Sequence, residues 1–175
     1  SAADILSGNS LQISPTPLIS DLSIRLTYPQ YTQKKVLRLE STDGNIFALR
    51  GTMVELTAIS MLPLHLGLIE IQAEGQAETD IIELTVNNKR TLSGSFQVQT
   101  AGTYRFVLNH LDGTIIADKT RYKIRIEEDR PPKIEMTFPT SDMELKAPEG
   151  LWVEWKTSDD FGLSNVFFHL QSPNK

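Results

Sequence analysis

Five carboxylates in the second half of the chain have the type and grouping that could hold a cation. They fall in two groups, Glu127, Glu128 and Asp129, then Asp159 and Asp160, and hard oxygen ligands of this kind suit Ca²⁺. No Asp-x-Asp or EF-hand spacing fixes them as ligands, and two acids shortly before a glycine are typical of a turn between strands. We therefore predict a turn at Asp159 and Asp160 and no cofactor, with calcium at the domain junction as the alternative.

Four cations recur at every second position in one segment: Lys119, Arg121, Lys123 and Arg125. Residues two apart in a strand point to the same face, which predicts a basic ladder on one face of the last strand of a domain. The simpler interpretation is a solvated face whose charges also protect the edge of a sheet from pairing with another chain. The alternative is a patch that binds anionic lipid headgroups or polysaccharide.

The side chains that catalysis needs are not grouped in any motif. His65, His110 and His169 are far apart and show no metal-ligand spacing. A nucleophile elbow, a P-loop and a dinucleotide fingerprint are all missing, and the Asp-Phe-Gly at 160–162 stands without the other kinase elements. The chain has no cysteine, which excludes disulfides, thiolate zinc sites and cysteine nucleophiles. The sequence predicts a protein that is not an enzyme.

Composition excludes further classes of function. Seventeen basic and 22 acidic side chains give a formal net charge of -5, whereas nucleic-acid binding needs a basic excess to neutralise phosphates. Hydrophobic residues make up 39% and charged residues 22% of the chain, which is typical of a soluble globular protein. No run of about 18 apolar residues occurs, so we predict that no segment of this sequence spans a bilayer as a helix.

The elements that must position these residues are short strands. Apolar and polar residues alternate with a period of two along most of the chain, as where Val54, Leu56 and Ala58 flank Glu55 and Thr57. Turn residues separate the segments, among them the polar stretch 87–90. This pattern predicts an all-β fold, an immunoglobulin-like antiparallel β-sandwich followed by a partial second sandwich.

The segment around Tyr104 is the most diagnostic of that fold. A glycine two residues before a tyrosine at the start of a strand is the arrangement of the tyrosine corner of immunoglobulin-like domains. The position two residues after the tyrosine holds a disulfide cysteine in antibody domains, and here it is Phe106. We expect Phe106, with Tyr104 and Leu108, to fill the core where that disulfide would lie.

The predicted domain organisation has three parts: a linker or flexible N-terminal stub over residues 1–21, an immunoglobulin-like sandwich over 22–128, and the first strands of a truncated second one over 129–175. The stub includes a short turn of helix at Ala2 to Leu6. An internal repeat supports the division, because Val54-Glu55-Leu56-Thr57 and Val153-Glu154-Trp155-Lys156 lie 99 residues apart, about the length of one such domain. Pro131 and Pro132 would stiffen the junction.

A partial sandwich cannot close its own core, and its unpaired edge should seek a partner. We therefore expect Trp155, Phe168 and their neighbours to pack on the first domain or on another chain, which predicts a homodimer through the truncated second domain. Alternation places Trp155 inward and Trp152 outward. An exposed Trp152 would be a stacking platform for cell-wall or surface polysaccharide.

Several phrases resemble one known family. They are Leu26-Thr27-Tyr28-Pro29-Gln30-Tyr31-Thr32, the segment from Gly44 to Thr52, Gly102-Thr103-Tyr104, Asp129-Arg130-Pro131-Pro132 and Asp159-Asp160-Phe161-Gly162-Leu163. Their order and spacing resemble the bacterial membrane-protein family called domain of unknown function 4175. The resemblance implies an envelope protein with transmembrane segments outside this chain, immunoglobulin-like repeats in the periplasm or at the cell surface, and protein partners in the envelope. It brings no catalytic residues.

The leading functional expectation is an extracytoplasmic, non-enzymatic spacer and protein-interaction module. The alternative is a carbohydrate-binding or cell-wall polysaccharide-binding module.

Overall fold

The computed structural model describes residues 11–141, 150–163 and 165–169. These residues form thirteen strands and one 3-10 helix, Gln30–Thr32. The strands are β1 Gln12–Ile13, β2 Ile19–Thr27, β3 Leu37–Leu39, β4 Ile46–Leu49, β5 Met53–Ser60, β6 Leu64–Ala73, β7 Thr79–Asn87, β8 Thr91–Gln97, β9 Gly102–His110, β10 Ile115–Ala117, β11 Tyr122–Glu127, β12 Lys133–Phe138 and β13 Glu154–Ser158. Within the described ranges, no helix is long and apolar enough to cross a bilayer. The predicted helix at Ala2 to Leu6 lies outside the described residues.

The chain divides into two compact units, Ser1–Glu128 and Asp129–Lys175. In the first, β3, β2, β5 and β8 form one antiparallel layer, and β6, β9, β10 and β11 form the other, with β1 and β4 added in parallel orientation. Strand β7 belongs to both layers, because Thr79–Leu84 pair with β6 and Thr85–Asn87 pair with β8. The fold is an all-β sandwich.

The core lies between the two layers and follows from the alternation in the sequence. In β5, Val54, Leu56 and Ala58 are buried while the residues between them are exposed. The polar stretch 87–90 joins β7 to β8, and Asn88 and Lys89 take the left-handed conformation that a tight turn needs. The layers therefore bury one face each, as half-buried antiparallel sheets do.

Aromatic side chains fill the centre of this core. Tyr104 and Phe106 are fully buried and Leu108 nearly so, which confirms the prediction for these three residues. The rings of Tyr104 and Tyr122 stack with centroids 5.0 Å apart, and Phe106 meets the Tyr122 ring edge-on at 5.8 Å. Such contacts add to the stabilisation that burial alone provides.

The hydroxyl of Tyr104 does not make the local bond of a tyrosine corner. It donates to the Gly44 carbonyl oxygen at 2.6 Å, 60 residues earlier in the chain, whereas a tyrosine corner bonds backbone a few residues upstream. Gly44 has a φ of +82°, and a Cβ there would lie 2.2 Å from the Tyr122 ring. The tyrosine thus fastens the loop before β4 to the core, and the predicted corner is wrong in its partner.

The N-terminal segment is not a linker from residue 11 onward. Strand β1 pairs in parallel with β10, and Leu18 is 4% exposed. The Leu18 N–H donates to the buried Asp118 carboxylate at 3.2 Å, and the Leu18 carbonyl accepts from the Met61 N–H at 2.8 Å. The prolines at 15 and 17 suggested a linker, but the apolar residue beside them is anchored in the core, so the prediction fails for this part of 1–21.

The strand predicted as the last of the sandwich is interrupted. Residues 118–121 face only two residues of β9, because Ala117 is opposite Val107 and Tyr122 is opposite Tyr104. Asp118 closes this bulge, since its carboxylate also accepts from the Thr120 N–H at 2.8 Å. A short strand, β10, therefore precedes the bulge and β11 follows it.

In the second unit, β12 and β13 form an antiparallel pair. Met136 lies opposite Trp155 on one face, and Glu135 lies opposite Lys156 on the other. The predicted strand through Val166, Phe168 and Leu170 is wrong for residues 165–169, which are not in a strand. Leu170 lies outside the described residues.

Candidate interaction surface

The basic residues predicted as a ladder are split between the bulge and β11. Lys119 and Arg121 lie in the bulge, and Lys119 donates from Nζ to the Pro15 carbonyl at 2.6 Å. Lys123 and Arg125 lie on β11 and are exposed, and they alternate with the buried Tyr122 and Ile124. The single-strand ladder is therefore wrong for its first two members and correct for the last two.

Strand β11 has a different paired neighbour along each half. It pairs with β9 from Tyr122 to Ile124 and with β4 from Ile124 to Glu127. Lys123 therefore lies beside β9, whereas Arg125 lies where β4 is the one paired neighbour of β11, so its charge can still protect an open stretch of strand. The parallel pairing of β11 with β4 joins residues far apart in the chain, and the local sequence does not record it.

Lys123 belongs to a polar row that crosses the strands. Its cross-strand neighbour is Thr103, whose neighbour on β6 is Gln72. On the other side, the Lys123 N–H donates to Asn45 Oδ1 at 2.9 Å. Arg125 lies two residues along the same face, directly opposite Phe47, whose side chain is 58% exposed. An exposed aromatic ring and two cations therefore share one outward face.

A groove of about 570 Å³ opens beside the two cations. The turn at 74–76 forms one side, and Thr103, Lys123 and Arg125 line the other. Gln72 fixes the turn and its exit, because its side-chain nitrogen donates to the Gln76 carbonyl and its oxygen accepts from the Thr79 hydroxyl at 2.9 Å. The rim of the groove is thus held in place by hydrogen bonds.

The charges around this groove are unequal. Glu74 lines it with Lys123 and Arg125, and neither cation forms an ion pair in the part of the chain that the structure describes. The neighbouring Arg105 is already neutralised, since its Nε lies 2.6 Å from Glu70 Oε2 and both side chains are largely buried. The groove therefore presents two free cations against one carboxylate.

A second recess, of about 320 Å³, contains Asp21, Asp43 and Tyr122. Its carboxylates have hydrogen-bond partners within the first unit: Asp21, on β2, accepts from the Ser41 hydroxyl at 3.1 Å, and Asp43 accepts from the Asn45 N–H at 3.0 Å. The Asn45 hydrogen bonds hold the pKa of Asp43 below its usual range. Both carboxylates therefore have structural hydrogen-bond partners.

The calcium candidates belong to two different units. Glu127 and Glu128 are the last two residues of the first unit. Lys34 Nζ donates to both carboxylate oxygens of Glu127, at 2.8 and 2.7 Å. Asp129, Asp159 and Asp160 belong to the second unit, where the Asp159 carboxylate accepts from the Phe161 N–H at 3.0 Å, as in a turn. Among the described residues, no three acidic or histidine side chains converge to hold a metal.

His65 and His110 do not line the groove, and His169 belongs with both tryptophans to the second unit. His110 Nδ1 is 2.9 Å from Asp112 Oδ1, and hydrogen bonds from Thr114 and His110 lower the pKa of Asp112 to about 2. Trp152 is 75% exposed, which agrees with its predicted outward position. Trp155 stacks on Phe168 with ring centroids 6.1 Å apart but is still 42% exposed.

The sequence reasoning did not single out Phe47, Thr103 or the turn at 74–76. Phe47 carried a usable signal, because it alternates with Ile46 and Ala48, which are buried. The groove gave no such signal in the sequence, because three separate chain segments form it. No protein-family model matches this chain, and no curated protein is significantly similar to it.

Proposed function

We propose that this chain is a non-enzymatic, extracytoplasmic immunoglobulin-like part of a bacterial envelope protein, acting as a spacer and protein-interaction module. The observation that carries the proposal is the succession of two β units that meet at Glu128 and Asp129. Tandem β units are suited to holding other parts of a protein at a distance.

The end of the first unit is firmly anchored, as a spacer requires. Lys34 binds both carboxylate oxygens of Glu127 and lies 5.2 Å from the centre of the Tyr28 ring. Both charged side chains are about one-third exposed, at 31%, so the pair is more protected than an ordinary surface ion pair. Pro131 and Pro132 follow, and their fixed φ angles restrict the connection to the second unit.

The interaction role is supported by the second unit's apolar face. Ile134, Met136 and Trp155 lie on one face of the β12–β13 pair and are 64%, 50% and 42% exposed. Lys133, Glu135 and Lys156 lie on the other face. Contiguous exposed apolar residues of this kind mark surfaces that another protein segment covers, and association of two copies is one such arrangement.

The envelope location and the relation to domain of unknown function 4175 rest on the ordered phrases that resemble that family. A second candidate function, binding of cell-wall polysaccharide, is favoured by the 75% exposure of Trp152, because exposed tryptophan rings provide large contact surfaces. Failure of the wild type to bind cell-wall polysaccharide would remove this candidate, and binding that Trp152→Ala leaves unchanged would exclude Trp152 as the stacking platform.

The spacer role is tested with two spin labels. The chain has no cysteine, so Ala77→Cys and Lys156→Cys, both at exposed positions, place one label on each unit. We expect a narrow distance distribution that broadens when Pro131 and Pro132 are both replaced by glycine. An equally broad distribution in both proteins would refute the spacer.

A further inference from the structure

We propose that the outward face of β4, β11 and β9 binds a linear acidic polysaccharide, with Lys123 and Arg125 contacting its carboxylates. This inference goes beyond the spacer role and does not depend on it. It also concerns a different surface from Trp152, which lies in the second unit.

The first argument is that neither cation forms an ion pair among the described residues. Lys119, Arg105 and Lys34 are occupied, by the Pro15 carbonyl, by Glu70 and by Glu127. Lys123 and Arg125 have no ion-pair partner there, although both side chains are exposed on the same face of β11. On a chain whose net charge is -5, free cations in one place indicate attraction for an anionic ligand.

The second argument is the spacing. Positions two apart in a strand are separated by about 6.7 Å, so Lys123 and Arg125 offer two positive charges side by side along the strand. A linear polymer with repeated carboxylates can match such a pair of charges.

The third argument is the mixture of groups around the cations. The Thr103 hydroxyl and the Gln76 side chain are hydrogen-bonding groups at the groove, which has room for a ligand segment at about 570 Å³. Exposed Phe47, opposite Arg125, offers an apolar ring against which the C–H face of a sugar can pack. Sugars present hydroxyls, apolar faces and, when acidic, carboxylates together, and this combination matches the surface.

An anionic membrane fits less well. A bilayer presents a broad plane of negative charge, so the whole acidic chain would be repelled at the distances over which surface charges act, about 8–10 Å in ordinary salt. A groove bounded by a fixed turn is better suited to a single polymer chain. Anionic vesicles are therefore a control in the test.

The test measures binding of polygalacturonate, a linear polymer of carboxylated sugars, by titration calorimetry with the whole chain. Neutral dextran and phosphatidylglycerol vesicles are the comparison ligands. The test variant is Lys123→Ala with Arg125→Ala, and the matched control is Lys35→Ala with Arg38→Ala, which removes the same charge at exposed positions before and within β3. Equal urea midpoints of the two variants establish that both are folded.

We expect polygalacturonate to bind, dextran not to bind, and affinity to fall about tenfold in the test variant and less than twofold in the control. Trp152→Ala should also change affinity less than twofold. Absence of binding to the wild type, or equal losses in the two double variants, would overturn the proposal. Tighter binding to the vesicles than to the polymer would assign the surface to a membrane instead, and loss of binding in Trp152→Ala would assign the sugar site to the second unit.

Discussion

Replacing Tyr104 by phenylalanine removes one hydrogen bond from the centre of the first unit. The hydroxyl donates to the Gly44 carbonyl at 2.6 Å, and both residues are buried. The ring and its stacking on Tyr122 are retained in the variant, so the change isolates the hydrogen bond. A buried carbonyl that loses its donor costs about 1–3 kcal/mol, and we expect the free energy of unfolding to fall by about 2 kcal/mol.

The assay is urea unfolding followed by far-UV circular dichroism, with tryptophan fluorescence recorded in parallel. Both tryptophans, Trp152 and Trp155, belong to the second unit, so fluorescence reports on that unit separately. Tyr122→Phe is the matched control, because it removes the neighbouring hydroxyl, for which the described residues provide no hydrogen bond. We expect it to change stability by less than about 0.5 kcal/mol.

Equal losses in the two variants would refute the reasoning, since the Gly44 bond would then carry no special stabilisation. A change in the dependence of unfolding free energy on urea would instead show that the unfolding transition itself had altered.

Three further predictions concern the stability of the first unit. Burial raises the pKa of Tyr122 to about 12 and also raises the pKa of Tyr104. Between pH 10 and 12 the two tyrosine hydroxyls therefore lose their protons only in the unfolded chain. The free energy of unfolding should then be constant just below pH 10 and fall above it by about 1.4 kcal/mol per pH unit for each tyrosine. Tyr122→Phe should make this dependence on pH shallower, and an unchanged dependence would contradict the prediction. Gly102→Ala places a Cβ 2.2 Å from the Gln72 carbonyl oxygen and should cost more than about 2 kcal/mol, whereas Gly150→Ala, with open space around it, should be nearly neutral in the same urea titration. Asp118→Ala removes the acceptor of the Leu18 and Thr120 N–H groups and should cost about 2–3 kcal/mol, with faster hydrogen exchange at those two amides; unchanged exchange would exclude the proposed anchor.

Alternation in the sequence was sufficient to predict the long antiparallel strands. Strand β5 is the clearest case, because Val54, Leu56 and Ala58 each face the core. Strands β1 and β10 have only two and three residues, too few for a period of two to be recognised. Their existence depends on pairing with each other and with β9, which local sequence does not record.

The sequence predicted only part of the candidate surface, because local alternation does not record pairing between distant strands. Period two placed Lys123 and Arg125 on one face, but whether β11 lies at an edge depends on β4, more than seventy residues earlier. The partner of Tyr104 likewise comes from a distant loop. Contacts between segments far apart in sequence set both outcomes, and a single sequence carries little information about them.

The most direct test of the proposed function is the location of this chain in the cell. Ala77→Cys provides an exposed thiol in a chain that otherwise has none, and Ala58→Cys, at a position that is 1% exposed, controls for accessibility. In spheroplasts that express the full-length protein, we predict that a membrane-impermeant maleimide labels Ala77→Cys and not Ala58→Cys. Labelling of Ala77→Cys only after lysis would place the module in the cytoplasm and contradict the account.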